Sequence, residues 1–185
     1  MKKIACIGWG SLLWKPGPVT LATPWRPGGP DLPLEFLRDS DDSDELALVI
    51  SEDAAPMPTF HALMATGDID EAREQLRQRE KIARERPDWV GAVPAGIETR
   101  GSARVAAWLA TQPFDAAIWT AVPPKFDNVN GRAPTAAQAL ALLSALEGDA
   151  RAHAEQYVRR IPAAIMTAYR KRFEEQLGWT AIATK

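Results

Sequence analysis

The segment IACIGWGSLLWKPGP, residues 4–18, decides how the rest of the chain is read. Residues 3–8 have the character of a short buried strand, which runs into Gly-Trp-Gly-Ser and Leu-Leu-Trp before Pro16 stops it. A strand that only has to pack has no need to end in two glycines around a tryptophan. Glycine lets a ligand or another backbone come close, so a strand-to-loop turn at Gly8, Gly10 and Ser11 can aim N–H groups outward. Such a nest suits a carboxylate or a developing oxyanion. A tight turn with Trp9 and Trp14 as core plugs fits the same letters.

Two phosphate-binding fingerprints fail here. A dinucleotide loop needs G-x-G-x-x-G opening a helix, whereas Leu13 holds the place of the third glycine and prolines follow. Lys15 lacks both the spacing and the neighbouring Ser or Thr of a Walker A loop.

Outward from the loop, residues 15–33 (KPGPVTLATPWRPGGPDLP) predict a long irregular connection. LPLEFLRDS (32–40) and ELALVIS (45–51) flank the acidic turn DDSD (41–44), a hairpin with its tip in water. TFHALMA (59–65) is another strand. The period then changes: DIDEAREQLRQREKIARER (68–86) repeats at helical spacing, opens with a cap at Asp68 or Asp70, and ends before Pro87. RVAAWLAT (104–111) and AAIWTAV (116–122), joined through Pro113, read as strands, and PPKFDNVNGRAP (123–134) as a loop. Helices follow at Thr135–Leu146, Asp149–Arg160 and Pro162–Leu177, the last with its proline in the first turn. The sum is an α+β fold with a largely β front half, one inserted helix and a helical tail.

The inserted helix carries a carboxylate on its apolar side. At 100° per residue Ile69, Ala72, Leu76 and Ala83 form one narrow stripe, and Glu80 falls on it. Arg73, Arg77 and Arg84 lie to one side, Arg79 on the other flank. A core-facing carboxylate either pairs with an arginine, here Arg77 or Arg84, or faces a dry pocket and serves as a general acid or base. The spacing allows both.

The bulk numbers bound the function. A chain of 185 residues fits one domain, residues 1–185, with 135–178 as a helical C-terminal extension of it. A net charge of -2 gives no electrostatic case for nucleic acid or an anionic membrane. The one cysteine, Cys6, cannot form an internal disulfide and reads as a buried small residue. His61, on a strand, and His153, on a polar helix, suggest neither zinc nor a catalytic triad. DSDDSDE (39–45) lacks the glycine and spacing of an EF-hand loop, and YRKRFEE (169–175) reads as a solvent face. No apolar run approaches the roughly 20 residues of a membrane span. The run after Met1-Lys2-Lys3 breaks at Gly8 with no cleavage site following, which makes a cytoplasmic location the default. Three of the seven tryptophans fall within the first 25 residues, favouring a lined pocket or a rigid core.

Taken together, the loop and the glutamate resemble the γ-glutamylcyclotransferase-like superfamily, in particular its cation-transport-regulator-like branch. Its members carry a Tyr-Gly-Ser-Leu loop after the first strand, often YGSLLW or YGSLIW, and a glutamate in an LD-x-x-E or LDxRE stretch after a later strand. Here the motifs are Trp9-Gly10-Ser11-Leu12-Leu13-Trp14 and LRQRE, Leu76 to Glu80. The resemblance covers residue 4 to about residue 82.

It implies a small mixed β-barrel with flanking helices. It also implies cyclisation of a γ-glutamyl amine or peptide to 5-oxoproline with release of the amine, using no metal and no cofactor. Glu80 would move protons, while the N–H groups of Gly10, Ser11 and Leu12, with Trp9 beside them, would hold the substrate. AEQYVRRIP (154–162) is loosely similar to a tyrosine-bearing segment of relatives, which would bring Tyr157 near the pocket. Arg38 and Ser40 stand where they could reach a ligand carboxylate or simply cap the hairpin turn. Three departures fall at the motifs: Trp9 replaces the usual tyrosine, Arg77 replaces an aspartate, and Lys81-Ile82 follow the glutamate where a glycine is common. Beside the enzyme stand two other expectations: a non-catalytic relative that binds a small ligand, and an interaction module that uses the helical tail.

Overall fold

The computed structural model describes residues 1–40, 45–94 and 96–182. The expected acidic turn tip, residues 41–44, lies outside them.

The strands in chain order are β1 (Ile4–Gly8), β2 (Arg26–Pro27), β3 (Leu32–Asp39), β4 (Leu46–Ile50) and β5 (Pro56–Met57). They continue as β6 (Phe60–Leu63), β7 (Val90–Val93), β8 (Ala116–Thr120), β9 (Lys125–Phe126) and β10 (Val129–Asn130). The helices are α1 (Ile69–Arg79), α2 (Ser102–Leu109), α3 (Ala136–Ser144), α4 (Gly148–Arg160) and α5 (Ala168–Leu177). The α+β class expected from the sequence is what these elements form. Among the described residues no helix is long and apolar enough to cross a membrane.

The chain divides into two compact units. The first joins Met1–Leu32 to Pro58–Val122. Its sheet has the order β2-β6-β1-β8-β7, with β1 and β8 parallel and the other neighbours antiparallel. The central strand β1 is buried throughout, which is why its sequence is an unbroken apolar run rather than an alternation. Ile4 and Cys6 of β1 and Ala116 and Ile118 of β8 share one core with Ala72 and Leu76 of α1. Asp68 caps α1, its carboxylate accepting from Asp70 N at 2.9 Å.

α1 is shorter than its sequence pattern predicts. It ends at Arg79, with Glu80 as its last half-helical residue and Lys81 at a left-handed φ of 54°. Lys81 N bonds Gln78 O at 3.1 Å and Ile82 N bonds Arg77 O at 3.0 Å, the two reversed bonds of a Schellman ending. The helical stripe therefore does not extend to Ala83, which is exposed; Ile82 is buried instead. The segment read as a strand at 104–111 is helical: α2 runs from Ser102 to Leu109 with Val105 and Leu109 buried one turn apart. Its alanines favour helix, and so short an apolar run has no period that separates the two states.

The second unit joins Pro33–Met57 to the chain from Pro123 onward. Its sheet runs β10-β9-β3-β4, with β5 also paired to β3. β3 and β4 are antiparallel, as a hairpin requires, while β9 lies parallel to β3 through Arg38 and Lys125. The segment read as a loop at 123–134 thus holds the small antiparallel pair β9–β10. Phe36 of β3 meets Phe173 of α5 edge-on at 5.5 Å between ring centroids.

Two expectations for the tail are corrected. α5 starts at Ala168, not Pro162, because Thr167 is its cap, accepting from Arg170 N at 3.2 Å. The 169–175 stretch is not all solvent face, since Arg170 is fully buried. Its guanidinium donates to the carbonyls of Ile161, Pro162 and Ile165, at 2.9, 2.7 and 2.9 Å. The non-helical segment before α5 uses the very carbonyls that a helix starting at Pro162 would have turned inward.

Candidate active site

The loop after β1 is a single turn of 3₁₀ helix, Ser11–Leu13, entered through Gly10. Leu13 N bonds Gly10 O at 3.0 Å, and Trp14 N and Lys15 N both bond Ser11 O, at 3.1 and 2.7 Å. The first N–H groups of any helical turn have no partner within it. Accordingly Gly10, Ser11 and Leu12 donate no backbone hydrogen bond among the described residues. Trp9 and Leu12 are buried, Ser11 half-buried.

Gly8 has a packing reason. A Cβ there would lie 2.9 Å from the ring of Trp25 and 3.3 Å from Leu13. The two glycines around Trp9 thus do different work: Gly8 admits a tryptophan ring, and Gly10 carries the turn.

Glu80 stands at the end of α1, its side chain 18% exposed. Its partner is neither Arg77 nor Arg84 but Arg79, whose Nη1 donates to Oε1 at 2.8 Å. The hydroxyl of Thr120, at the end of β8, donates to the same oxygen at 3.2 Å. Oε2 accepts no hydrogen bond among the described residues, and it is not sealed from solvent. Arg79 also reaches the loop: Nη2 donates to Ser11 Oγ at 2.9 Å, and Nε and Nη2 to Lys15 O at 3.1 Å each. One guanidinium, 14% exposed, therefore joins the loop motif to the glutamate motif.

Beneath the pair lies the Cys6 thiol. Burial pushes it up to about 12, with the negative charge of Glu80 adding to the rise and Arg79 opposing it. A thiol held protonated in this way is a packing group and not a nucleophile.

Arg77 and Arg84 belong instead to a concave surface that Arg73 and Arg86 also line. Glu74 takes both, with Arg77 Nη2 at 2.7 Å and Arg84 Nη2 at 3.1 Å from its Oε1. Hydrogen bonds from Arg77 and Gln78 hold the Glu74 carboxyl down to about 2. Glu80 escapes this network because the Schellman turn ends the helix beneath it.

The structure thus brings together Gly10, Ser11, Leu12 and Glu80, with Trp9 at the root of the loop. Arg38 and Tyr157 lie in the second unit, each placed by contacts there. Arg38 Nη1 donates to Pro123 O at 2.9 Å and to Asn130 Oδ1 at 3.1 Å, and Tyr157 Oη accepts from Leu48 N at 3.2 Å. Ser40 N bonds Glu45 O at 3.2 Å, closing the hairpin. Sequence reasoning missed the roles of Arg79 and Thr120. Thr120 had a signal: period 2 along β8 puts it on the face of Ala116 and Ile118, beneath α1.

No family model matches the chain, and no curated protein matches its sequence. In structure it is similar to the crystal structure of a γ-glutamyl cyclotransferase specific to glutathione, from yeast. The TM-score is 0.56 with 16% sequence identity, over 98% of this chain and 98% of that chain. The chain has the γ-glutamylcyclotransferase-like fold.

Proposed function

We propose that this protein is a γ-glutamylcyclotransferase-type enzyme that cyclises a γ-glutamyl amine or peptide to 5-oxoproline. Glu80 Oε2 accepts a proton from the substrate α-amino group, and the freed nitrogen attacks the γ-carbonyl carbon. The carbonyl electrons move onto oxygen, and the N–H groups of Gly10, Ser11 and Leu12 stabilise that charge. The oxyanion then collapses, the bond to the leaving amine breaks, and the proton held by Glu80 passes to the departing nitrogen. The reaction moves one proton twice and consumes nothing else.

One observation carries the reading. Among the described residues, a carboxylate with one oxygen anchored and the other unoccupied is linked by a single side chain to a loop whose first N–H groups have no partner. The fold supports the reading. The departures at Trp9 and Arg77 mean that the amine released need not be that of glutathione.

The Arg79–Glu80 ion pair also suits a second reading, in which the same pocket binds a small γ-glutamyl or carboxylate ligand without turning it over. Incubating the protein with a panel of γ-glutamyl peptides and γ-glutamyl amines separates the two. 5-Oxoproline release supports the enzyme; a raised melting temperature without product supports the binder.

A further inference from the structure

We propose that Arg79 is the positioning residue for Glu80, and that with Thr120 it assigns the two carboxylate oxygens different tasks. Oε1 is held in place and Oε2 moves the proton. The inference rests on the acid/base reading of Glu80 given above.

The geometry makes the division. Arg79 Nη1 and Thr120 Oγ1 converge on Oε1, at 2.8 and 3.2 Å, one from the end of α1 and one from the end of β8. Two donors on one oxygen fix the side-chain torsions of a glutamate that would otherwise sample several rotamers at a helix end. Both leave Oε2 unoccupied among the described residues. The ion pair is therefore no obstacle to catalysis, because it uses only the oxygen that does not react.

Arg79 is itself immobilised. Its other donors go to Ser11 Oγ at 2.9 Å and to Lys15 O at 3.1 Å. Glu80, Ser11 and Lys15 are thus satisfied at once by a planar fork, which a lysine ammonium on a flexible stem cannot reproduce. The consequence is metrical. In the cyclisation the γ-carbonyl oxygen must lie on the Gly10–Leu12 N–H groups while the α-amino proton faces Oε2. The separation of those two points is set through one rigid side chain, so a change at Arg79 misplaces the reacting atoms without removing either of them.

The test measures kcat and KM on a γ-glutamyl substrate that the wild type turns over, for Arg79→Lys, Thr120→Val and Glu80→Gln. Arg79→Lys is expected to lower kcat by roughly 10- to 100-fold while KM moves far less. Thr120→Val should lower kcat by about 10-fold, as expected for one hydrogen bond to a charged group. A purely structural role would instead lower the melting temperature and leave kcat of the folded fraction intact. Wild-type kcat in folded Arg79→Lys would overturn the assignment.

Should the wild type release no product from any substrate, the cyclotransferase reading fails by itself, and positioning is decided by stability. Ser11→Ala and Glu80→Ala are then combined in a double-mutant cycle of unfolding free energies, with Arg79 present and again in an Arg79→Lys background. Coupling that vanishes with the arginine supports the bridge. Equal coupling in both backgrounds, or none in either, overturns it.

Discussion

Ser11 Oγ and Arg79 Nη2 stand 2.9 Å apart, a hydrogen bond across 68 residues of sequence. It is the contact by which the loop after β1 and the end of α1 act as one site. Among the described residues the loop offers donors without partners, and the helix end offers a carboxylate with one oxygen unoccupied.

Removing the serine hydroxyl should be felt in stability. In Ser11→Ala the guanidinium keeps its bonds to Lys15 O and Glu80 but leaves one partly buried donor unmet. A loss of about 1–2 kcal/mol is expected, read from the urea unfolding midpoint at unchanged slope.

Gly8 should tolerate no side chain. The Cβ of Gly8→Ala would lie 2.9 Å from the Trp25 ring, so the ring or the strand end must shift. The expected cost is about 1–3 kcal/mol. Trp25→Leu in the Gly8→Ala background should recover part of it, whereas equal stability of Gly8→Ala and wild type would show that the ring is not seated as described.

Lys81 is a lysine in a glycine's conformation. With φ at 54° and its side chain exposed, it occupies the left-handed position of the helix ending. Lys81→Gly should therefore stabilise the fold, by about 1 kcal/mol. Calorimetry of the two proteins decides the sign.

The second unit has its own pH signature. Glu35 is buried in β3, accepting from Phe36 N at 2.8 Å, Tyr169 N at 3.1 Å and the Thr167 hydroxyl. Burial raises its carboxyl above the ordinary 4.5, and these hydrogen bonds only partly oppose the rise. In the window above 4.5 the folded chain therefore holds this proton more tightly than the unfolded chain does. Stability from this group is complete below that window and is lost as pH rises through it. Glu35→Gln should remove this component, so the wild-type-minus-variant stability difference falls with rising pH. A difference that rises or stays flat would contradict the assignment.

The legible parts of the molecule were those where one local rule decides. β1 announced itself as an uninterrupted apolar run, and Ala72 and Leu76 as the buried side of a helix, because burial on two faces or on one stripe leaves that trace. The glycines marked the loop. What stayed hidden depended on the chain leaving its period. Beyond Arg79 the 100° projection no longer applies, so it put Ala83 on the buried stripe and offered Arg77 and Arg84 as partners for Glu80. Arg79, assigned to the far flank, proved to be the link, since its partners at Ser11 and Lys15 are set by tertiary structure. Arg170 was illegible for a similar reason: a buried arginine that caps three carbonyls has the same letters as one in water.

The central claim is that the Glu80 carboxylate performs the proton transfers of a γ-glutamyl cyclisation. The direct measurement is 5-oxoproline release by wild type and Glu80→Gln, both shown to be folded, on the same γ-glutamyl substrate. The glutamine keeps the size and the bonds to Oε1 but cannot carry the proton. A fall of about 100-fold or more is predicted. Equal turnover by the two proteins, or no turnover of any γ-glutamyl compound by the wild type, would contradict the account.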